Sequence, residues 1–401
     1  MRYSWSFLVC YPFDFLHAMA FRLLAPFFAG SRASGKSPWV IGGHRGRIYE
    51  DNAAAVHRYI AETTDQEVVW ISVSKSLTQE LRSKGYKVLR KNSWKARLAM
   101  IKAPVLIYSH GEDDIDQFFK YFRKCAGLRI YLNHGQNFTK TGYFAVPAAA
   151  TWSEKKRRQM QKKYVDFDYV LLGSEYECEM FRRAMPYRSQ ESFIANCGCP
   201  HVDKFILASR GKPEKRILWF PTFRDDPEDA CELDRIEAEL LHNAKLRQYL
   251  ESTGTMFTLV RHINSGTKSF EGIAPCFEIR DIQEIGSILP TAECFISDYS
   301  GIIIDWLLFD RPFVRFAFDI GQYTRKRSFY IPLDEFVLGK DVKTVDELAE
   351  FFSSGAWKDR APYIEKIEYY KNRIFPNLEP THTEVCVAKI RELLEQKRQA
   401  T

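Results

Sequence analysis

The sequence lacks the features that identify several common classes of protein. It contains no uninterrupted run of about 20 apolar residues that would span a bilayer, and it has no internal repeat or low-complexity segment. It also lacks blocks of Arg and Lys interleaved with aromatic residues, and its net charge of +7 over 401 residues is modest. A composition of 45% hydrophobic and 27% charged residues is typical of a globular protein. We therefore expect a globular chain that does not bind nucleic acid.

Motifs for dedicated cofactors and metals are also missing. No GxGxxG and no GxxxxGK[ST] occurs, so neither a dinucleotide fingerprint nor a P-loop is supported. There is no HxxxH pair, no cluster of thiols and no carboxylate string of the calcium-binding kind. The nine cysteines are scattered, and Cys197 and Cys199 have the wrong spacing for a zinc ribbon or a redox pair. The sequence predicts no cofactor, no metal site and reduced thiols.

Residues 1–37 differ from the rest of the chain because they are strongly apolar and aromatic. They carry no secretory cleavage pattern. On a helical wheel Asp14, His17, Ala18 and Arg22 share one stripe, and the remaining surface is apolar. This pattern is typical of an amphipathic helix in a membrane interface, so we predict a membrane-association segment. The alternative is a helix packed on the protein's own surface.

From Trp39 onward, short β-rich runs alternate with helical patterns. This alternation predicts an α/β fold with parallel sheets covered by helices. Two successive series indicate two Rossmann-like domains facing a cleft, residues 38–205 and 206–401. The helical patterns include Asp114–Lys124 and a single long helix over Leu233–Glu251.

The predicted strands of the first domain run out into small or polar residues. Ligands of open α/β sheets bind beyond the carboxyl ends of the strands. His134 follows one such strand and is followed by Gly135, so its imidazole is a candidate general base near neutral pH. His110 occupies a similar position between Ser109 and Gly111 and is a competitor. An ordinary hydrogen-bonded loop histidine is the alternative for each of them.

In the second domain, an apolar run over Cys294–Ile296 leads through small polar residues into a helical pattern over Ile302–Phe309. The first turn of such a helix leaves unpaired backbone N–H groups, which can bind an anion. A simple helix cap is the alternative. Arg224 and His262 follow two other strands of this domain, and both can carry positive charge towards phosphate.

Several motifs in order resemble a known family, the CDP-glycerol glycerophosphotransferases, which include teichoic acid primases and polymerases. The resemblance covers Trp39 to about Pro376. It is carried by GRIYEDN at 46–52, NHGQ at 133–136 with Lys140 and Gly142, GCPHVD at 198–203, PTFR at 221–224, ISDYS at 296–300 and SFY at 328–330. The resemblance implies a GT-B-like fold, with CDP-glycerol bound mainly by the second domain and the acceptor by the first.

The resemblance also implies roles for individual residues. His134 is expected to take the proton from the acceptor hydroxyl, which attacks the glycerol-bearing phosphorus and releases CMP. His262 is expected to act with it in catalysis by holding the pyrophosphate. The residues expected to bind CDP-glycerol are Gly135, Thr222, Arg224, Ser297, Asp298, Ser300, Gly301 and Asp305. The acceptor is a cell-surface glycan or its lipid-linked precursor at the cytoplasmic membrane face, where peripheral attachment is implied.

The sequence departs from the family pattern at four places. Asn133 and Gln136 flank the His-Gly pair, Gly301 replaces a second Ser, Ile263 replaces a Pro, and Ser328 replaces a Gly. These departures leave open which alcohol CDP carries and which acceptor is used. The alternative function is a GT-B glycosyltransferase that uses a nucleotide sugar, and a third is a catalytically silent scaffold. Homo-oligomer formation is equally open.

Overall fold

The computed structural model describes residues 5–29, 37–135, 147–164, 166–224, 226–261 and 272–400. The chain divides into two compact units, each built on one parallel sheet. Unit 1 contains residues 1–135, 153–203 and 376–401, and unit 2 contains 136–152 and 204–375. The described residues are α/β throughout, as the sequence predicts.

The thirteen strands of the described residues are distributed over the two sheets. They are β1 (Trp39–Gly42), β2 (Val68–Ser72), β3 (Val88–Arg90), β4 (Val105–Tyr108), β5 (Leu128–Tyr131), β6 (Tyr169–Leu171), β7 (Phe193–Ile194), β8 (Arg216–Phe220), β9 (Met256–Arg261), β10 (Phe277–Asp281), β11 (Cys294–Ser297), β12 (Phe313–Phe316) and β13 (Lys340–Val342).

The α-helices of the described residues connect and cover these strands. They are α1 (Trp5–Ala29), α2 (Asp51–Thr63), α3 (Lys75–Ser83), α4 (Trp94–Lys102), α5 (Glu154–Tyr164), α6 (Glu175–Ala184), α7 (Asp203–Ser209), α8 (Pro227–Leu241), α9 (Ala244–Thr253), α10 (Ile285–Ile288), α11 (Ile302–Trp306), α12 (Ile320–Lys326), α13 (Val345–Ser353), α14 (Ile364–Ile374) and α15 (His382–Gln399).

Both sheets are parallel, and both reverse the direction of strand addition at one point. The unit 1 sheet has the order β3-β2-β1-β4-β5-β6-β7, and the unit 2 sheet has the order β10-β9-β8-β11-β12-β13. The central strands β1, β4, β8 and β11 are buried along their length, apart from Arg216 at the start of β8, which is partly exposed. This burial explains why these strands read as continuous apolar runs. The reversals lie between β1 and β4 in unit 1 and between β8 and β11 in unit 2.

Two helix predictions were wrong because polar side chains bond to nearby backbone. The predicted helix over Asp114–Lys124 is a series of short 3₁₀ turns. Asp114 accepts hydrogen bonds from the backbone of Ser109 and His110, and Asp116 accepts one from Phe118. Such local bonds compete with the helical pattern.

The single helix predicted over Leu233–Glu251 is in fact the pair α8 and α9. Asn243 separates them, since its side chain caps α9 by accepting a hydrogen bond from the backbone of Leu246 at 2.9 Å. The sequence analysis also missed β13, a short strand with exposed polar residues at the sheet edge.

The assignment of the C-terminal helix to the second domain was wrong, because α15 belongs to unit 1. Asp203 accepts hydrogen bonds from the backbone N–H groups of His382 at 2.9 Å and Thr383 at 2.8 Å, and so fixes the start of α15. Buried residues of α15, Cys386 and Ile390 among them, complete the unit 1 core. The chain therefore returns to unit 1 after Phe375.

The N-terminal helix α1 packs against the rest of unit 1 through the side that carries His17 and Ala18, whereas Arg22 of the same predicted stripe is exposed. His17 stacks on Trp94 with ring centroids 5.3 Å apart, and Phe21 is fully buried. The opposite face exposes large apolar side chains, including Leu23 and Phe27 at 74% and 82% of their accessible surface. Among the described residues, no helix has the length and apolar character needed to cross a membrane. One side of the helix is thus packed on the protein's own surface, as the alternative interpretation predicts. The other side exposes apolar side chains, a feature that the membrane-association interpretation predicts.

Candidate active site

The reversal in the unit 1 sheet brings three histidines together. In open α/β sheets, ligands bind where the strand order reverses, beyond the carboxyl ends of the strands. His44 follows β1, His110 follows β4 and His134 follows β5. The ring centroids of His44 and His110 are 4.1 Å apart, and those of His110 and His134 are 4.3 Å apart in a stacked arrangement. Both histidines that the sequence singled out therefore belong to one cluster.

Asp51, the first residue of α2, links two of these histidines. Its Oδ2 lies 2.9 Å from His44 Nε2 and 3.7 Å from His110 Nδ1, and it accepts a hydrogen bond from Ser109 Oγ at 3.1 Å. Its Oδ1 accepts the backbone N–H of Ala53 at 2.9 Å. The carboxylate is thus buried and fixed at both oxygens.

Asn52, the next residue, holds the strand end that carries His134. Its Nδ2 donates to the carbonyl oxygens of Leu132 at 3.1 Å and Asn133 at 3.3 Å. Its Oδ1 accepts the backbone N–H of His201 at 2.9 Å. The GRIYEDN and GCPHVD motifs meet at this buried amide, so both have a structural role in placing the histidine cluster.

The environment raises the pKa of one of the three histidines and lowers the pKa of the other two. Partial burial opposes protonation of His44, but the hydrogen bond and charge of Asp51 outweigh it and raise the pKa of His44. Burial, reinforced by the neighbouring His134, lowers the pKa of His110 to about 2. Desolvation by the surrounding protein lowers the pKa of His134, although part of its surface is solvent-exposed. The surroundings therefore favour the protonated form of His44 and the neutral form of the other two rings.

The backbone of this site is strained where the side chains are presented. His44, Asp51 and Asn133 have φ values of 47°, 65° and 57°, a region that residues other than glycine rarely adopt. Strained positions of this kind are retained where the surrounding structure fixes them, and they occur often at functional sites. The predicted partner His262 lies outside the described residues, as do Gln136, Lys140, Gly142 and Ile263.

The reversal in the unit 2 sheet brings together Thr222 and Asp298, which follow β8 and β11. Asp298 is fully buried, and its Oδ1 accepts hydrogen bonds from the Thr222 backbone at 2.9 Å and the Thr222 hydroxyl at 2.6 Å. The preceding Ser297 is also fully buried and donates its hydroxyl to the carbonyl of Phe220 at 2.7 Å. Both contacts tie β8 to β11 at their carboxyl ends.

Arg224 is held inside unit 2 by two carboxylates. Its Nη2 donates to Asp298 Oδ2 at 2.8 Å, and its Nε donates to Asp319 Oδ2 at 2.8 Å. The guanidinium also lies 5.0 Å from the ring of Tyr323, and its side chain is almost fully buried. These contacts indicate that Arg224 positions the loops of the site, whereas the sequence analysis expected it to contact phosphate directly. Direct phosphate binding by Arg224 stays a prediction.

The remaining sequence-predicted residues surround the start of α11. Ser300 and Gly301 are partly exposed and precede α11, whereas Asp305 is buried within it. The helix is shorter than expected, since it changes to a 3₁₀ turn over Leu307–Phe309. Gly135, beside His134, is the last residue of the described range 37–135, and its φ of 137° favours glycine.

The sequence analysis missed His44, Asp51 and Asp319 as site residues. His44 follows a strand and Asp51 lies inside a motif, but no short spacing connects either of them with His110. Asp319 is 95 residues from the arginine that it binds. The strand order of the two sheets is the information that would have identified all three.

Comparison with known proteins agrees with this architecture. Teichoic acid poly(glycerol phosphate) polymerase of Bacillus subtilis (strain 168) is 25% identical over 324 residues, which cover 76% of this chain and 42% of the polymerase. Teichoic acid glycerol-phosphate transferase of Staphylococcus aureus (strain NCTC 8325 / PS 47) is 22% identical over 308 residues, covering 71% and 75% of the two chains. The chain spans less than half the length of several curated relatives it matches.

Among solved structures, a variant of the wall teichoic acid polymerase TagF soaked with CDPG superposes with a TM-score of 0.69 at 17% identity, covering 96% of this chain and 98% of that one. This similarity shows a shared fold. The model of one family, CDP-Glycerol:Poly(glycerophosphate) glycerophosphotransferase, matches residues 40–381. That match includes both sheet reversals and the residues gathered at them, and the chain therefore belongs to the CDP-glycerol:poly(glycerophosphate) glycerophosphotransferase family.

Proposed function

We propose that this protein transfers glycerol phosphate, or another polyol phosphate, from a CDP-alcohol to a hydroxyl group of a cell-surface glycan or its lipid-linked precursor. The observation that carries the proposal is the placement of the family motifs. Residues of PTFR and ISDYS meet at the reversal of the unit 2 sheet, and Asn52 of GRIYEDN bonds Asn133 of NHGQ at the reversal of the unit 1 sheet. These are the positions at which α/β sheets bind ligands.

In the proposed reaction, His134 accepts the proton of the acceptor hydroxyl. The resulting oxygen nucleophile attacks the phosphorus that carries the polyol, and a new P–O bond to the acceptor forms. The P–O bond to CMP breaks, and CMP leaves with the bonding electron pair. A neutral imidazole is the form that can accept a proton, and the lowered pKa of His134 supports that form at neutral pH.

The donor is proposed to bind to unit 2. Thr222, Ser297 and Asp298 form its fixed floor, and Ser300 and Gly301 lie at the partly exposed start of α11. Backbone N–H groups at such a position favour a negatively charged group such as a pyrophosphate. His262 is proposed to contribute a further positive charge, and Asp305 to orient the neighbouring groups.

A thermal-shift panel tests this donor class. CDP-glycerol, CDP-ribitol, CMP and UDP-GlcNAc are each added at a concentration far above the expected dissociation constant. A ligand at a hundredfold excess over its dissociation constant should stabilise the protein by about 2.7 kcal/mol. We expect a shift with the CDP-alcohols. A shift with UDP-GlcNAc alone would contradict the proposal and favour a glycosyltransferase.

A pair of serine variants makes the same panel specific for the site. Ser300→Ala should weaken stabilisation by CDP-glycerol, because Ser300 precedes α11. Ser287→Ala is the matched control, since Ser287 is an exposed serine of unit 2 that bonds the carbonyl of Glu284. Equal stabilisation of the two variants would argue against the start of α11 as the donor site.

We further propose that α1 attaches the protein peripherally to the cytoplasmic face of the membrane. Its exposed apolar side chains, including Leu23 and Phe27, support this proposal because soluble surfaces rarely present such a contiguous patch. The basic residues of α5, Lys155 and Arg158 among them, would add attraction to anionic lipid.

Flotation with vesicles of mixed neutral and anionic phospholipid tests the attachment. The double variant Leu23→Asp and Phe27→Asp should lose vesicle binding while keeping the thermal midpoint of the parent protein. Leu378→Asp serves as a control, since Leu378 is an exposed leucine of unit 1 outside α1. Vesicle binding that survives the double variant would reject the role of α1.

A further inference from the structure

We propose that His44, Asp51 and His110 form a binding site for one divalent transition-metal ion, of the class to which Zn²⁺ belongs. The three side chains come from separate parts of unit 1 and present ligand atoms that all lie within 4.8 Å of one another. Two imidazole nitrogens and one carboxylate oxygen are a common ligand set for such ions. This inference goes beyond the proposed function and does not depend on it.

The distances suit a single ion held by all three side chains. Asp51 Oδ2 is 2.9 Å from His44 Nε2 and 3.7 Å from His110 Nδ1. A four-coordinate ion with bonds of about 2.1 Å keeps its ligand atoms roughly 3.4 Å apart. The observed separations lie on both sides of this value, so a small adjustment of the His44 and His110 side chains would accommodate the ion.

The surroundings hold the ligands in place. Asp51 Oδ1 is occupied by the Ala53 backbone, which leaves Oδ2 directed at the two histidines and Ser109. The backbone N–H of His110 donates to Asp114 Oδ2 at 2.7 Å, and this fixes the residue that carries the second imidazole. Such supporting contacts are a regular feature of metal sites.

Two carboxylates lie against the histidines, and a bound cation would take the place of the proton between His44 Nε2 and Asp51 Oδ2. Asp51 and Asp114 are both buried, and Asp114 Oδ2 lies 3.9 Å from His110 Nδ1. The side chains of Arg45 and Lys91 pair with a third carboxylate, that of Asp113, at 3.6 Å and 3.0 Å. The basic side chains of Arg45 and Lys91 are therefore directed at Asp113, while two buried carboxylates lie against the histidines.

The site is open to solvent on one side. The side chains of His44 and His110 keep 29% and 26% of their surface exposed, so an ion can enter and retain a position for water or a substrate oxygen. The ring of His134 stacks on that of His110, which places this open position in the same cluster as the proposed base. An ion there would polarise an oxygen ligand next to His134.

Metal titration of untagged protein tests the site. The protein is stripped with a chelator, dialysed, and titrated with ZnCl₂ by calorimetry and with CoCl₂ by visible absorption. We expect one ion per chain with a dissociation constant of about 10 μM or below, and a Co²⁺ spectrum of low coordination number. Absence of binding in this range would overturn the proposal.

Variants identify the ligands. His110→Gln and Asp51→Asn should each weaken Zn²⁺ binding by about tenfold or more, and His44→Gln provides a third test should Asp51→Asn fail to fold. His242→Gln, at an exposed histidine of unit 2, should bind as the parent does. Unchanged affinity in both His44→Gln and His110→Gln would reject the site. A protein that binds CDP-glycerol but not Zn²⁺ would contradict the metal site and leave the proposed function intact. A protein that binds Zn²⁺ but not CDP-glycerol would contradict the proposed function and leave the metal site intact.

Discussion

The two sheet reversals of this protein are built from opposite kinds of contact. At the unit 1 reversal, three histidines keep part of their surface exposed, and their surroundings raise the pKa of one and lower the pKa of the other two. At the unit 2 reversal, Arg224, Asp298 and Asp319 form an ion-pair network that is almost completely buried. One reversal thus presents groups that can exchange protons or ligands, and the other fixes the backbone of two loops. The two equivalent positions of the fold therefore differ in exposure and in the kind of contact that their side chains make.

The largest effect is expected from His134→Gln, which tests whether unit 1 supplies the chemistry. Removal of a general base usually costs about 10²–10⁴-fold in turnover. We expect a loss of CMP release from CDP-glycerol in this range, while stabilisation by CDP-glycerol is retained. His242→Gln is the matched control. Equal turnover in the two variants, or loss of CDP-glycerol binding in His134→Gln, would remove His134 from the role of base.

The second largest effect is expected from Arg224→Ala, which tests whether the buried ion pairs of unit 2 stabilise the fold. Arg224→Ala leaves the carboxylates of Asp298 and Asp319 buried without their partner, and breaking a buried pair in this way typically costs about 3–5 kcal/mol. We expect a large fall in the denaturation midpoint of unit 2. Arg235→Ala, which removes an exposed arginine paired with Glu232, should change the midpoint little. Normal stability of Arg224→Ala would mean that Arg224 acts through the ligand instead.

A smaller effect is expected from Asn52→Ala, which tests how the histidine cluster is held. The variant leaves the backbone of Leu132, Asn133 and His201 without the buried amide that bonds them. Unsatisfied buried groups cost about 1–3 kcal/mol each, partly relieved by rearrangement, so we expect a loss of roughly 2 kcal/mol. Asn243→Ala, at a helix cap in unit 2, is a control that should leave turnover unchanged. Unaltered turnover in Asn52→Ala would show that the cluster does not depend on this amide.

The last prediction concerns acid sensitivity, which we expect of unit 1 and which is the smallest effect near neutral pH. Burial lowers the pKa of His57 from 6.5 to about 3, so the folded protein keeps it neutral. Below pH 6.5 the unfolded chain binds a proton at His57 and the folded chain does not. The contribution of His57 to the free energy of unfolding is therefore fully present above pH 6.5 and decreases as the pH falls towards 3. The decrease is about 1.4 kcal/mol per pH unit.

Chemical denaturation of the parent and of His57→Gln at several pH values measures this contribution. The variant should lose the share of the pH dependence that one proton supplies. His242→Gln should keep the full dependence, because His242 is exposed in unit 2. Identical pH profiles for the parent and His57→Gln would contradict the assignment.

The sequence predicted most strands because buried parallel strands are continuous apolar runs. For example, the apolar run over Cys294–Ile296 lies in β11, which extends one residue further to Ser297. It failed over Asp114–Lys124, where carboxylates bond the nearby backbone, and for α15, whose start is fixed by Asp203. The cap that positions α15 lies 179 residues away in the sequence. Contacts over such distances leave no local pattern.

In the candidate site, too, local motifs could be recognised from the sequence and long-range contacts could not. The motifs around His134, Thr222 and Asp298 could be recognised because each is a short run of polar residues after a strand. The membership of Asp319 in the unit 2 network could not, since its contact with Arg224 arises from the order of the strands. The helical wheel identified the polar stripe of α1 but could not show which side of the helix packs on the protein. The structure shows that the side carrying His17 packs on Trp94.

The amino-acid sequence by itself determined the α/β class, the number of sheets and the family, because these depend on local periodicity and short motifs. Only the tertiary structure decided that His44, Asp51, His110 and His134 share one site. Their positions span 91 residues and have no common spacing; they meet because β1 and β4 are hydrogen-bonded neighbours and β5 lies beside β4. Burial and the charge of Asp51 then shift the pKa values of chemically identical imidazoles in opposite directions, and a linear sequence does not contain those distances.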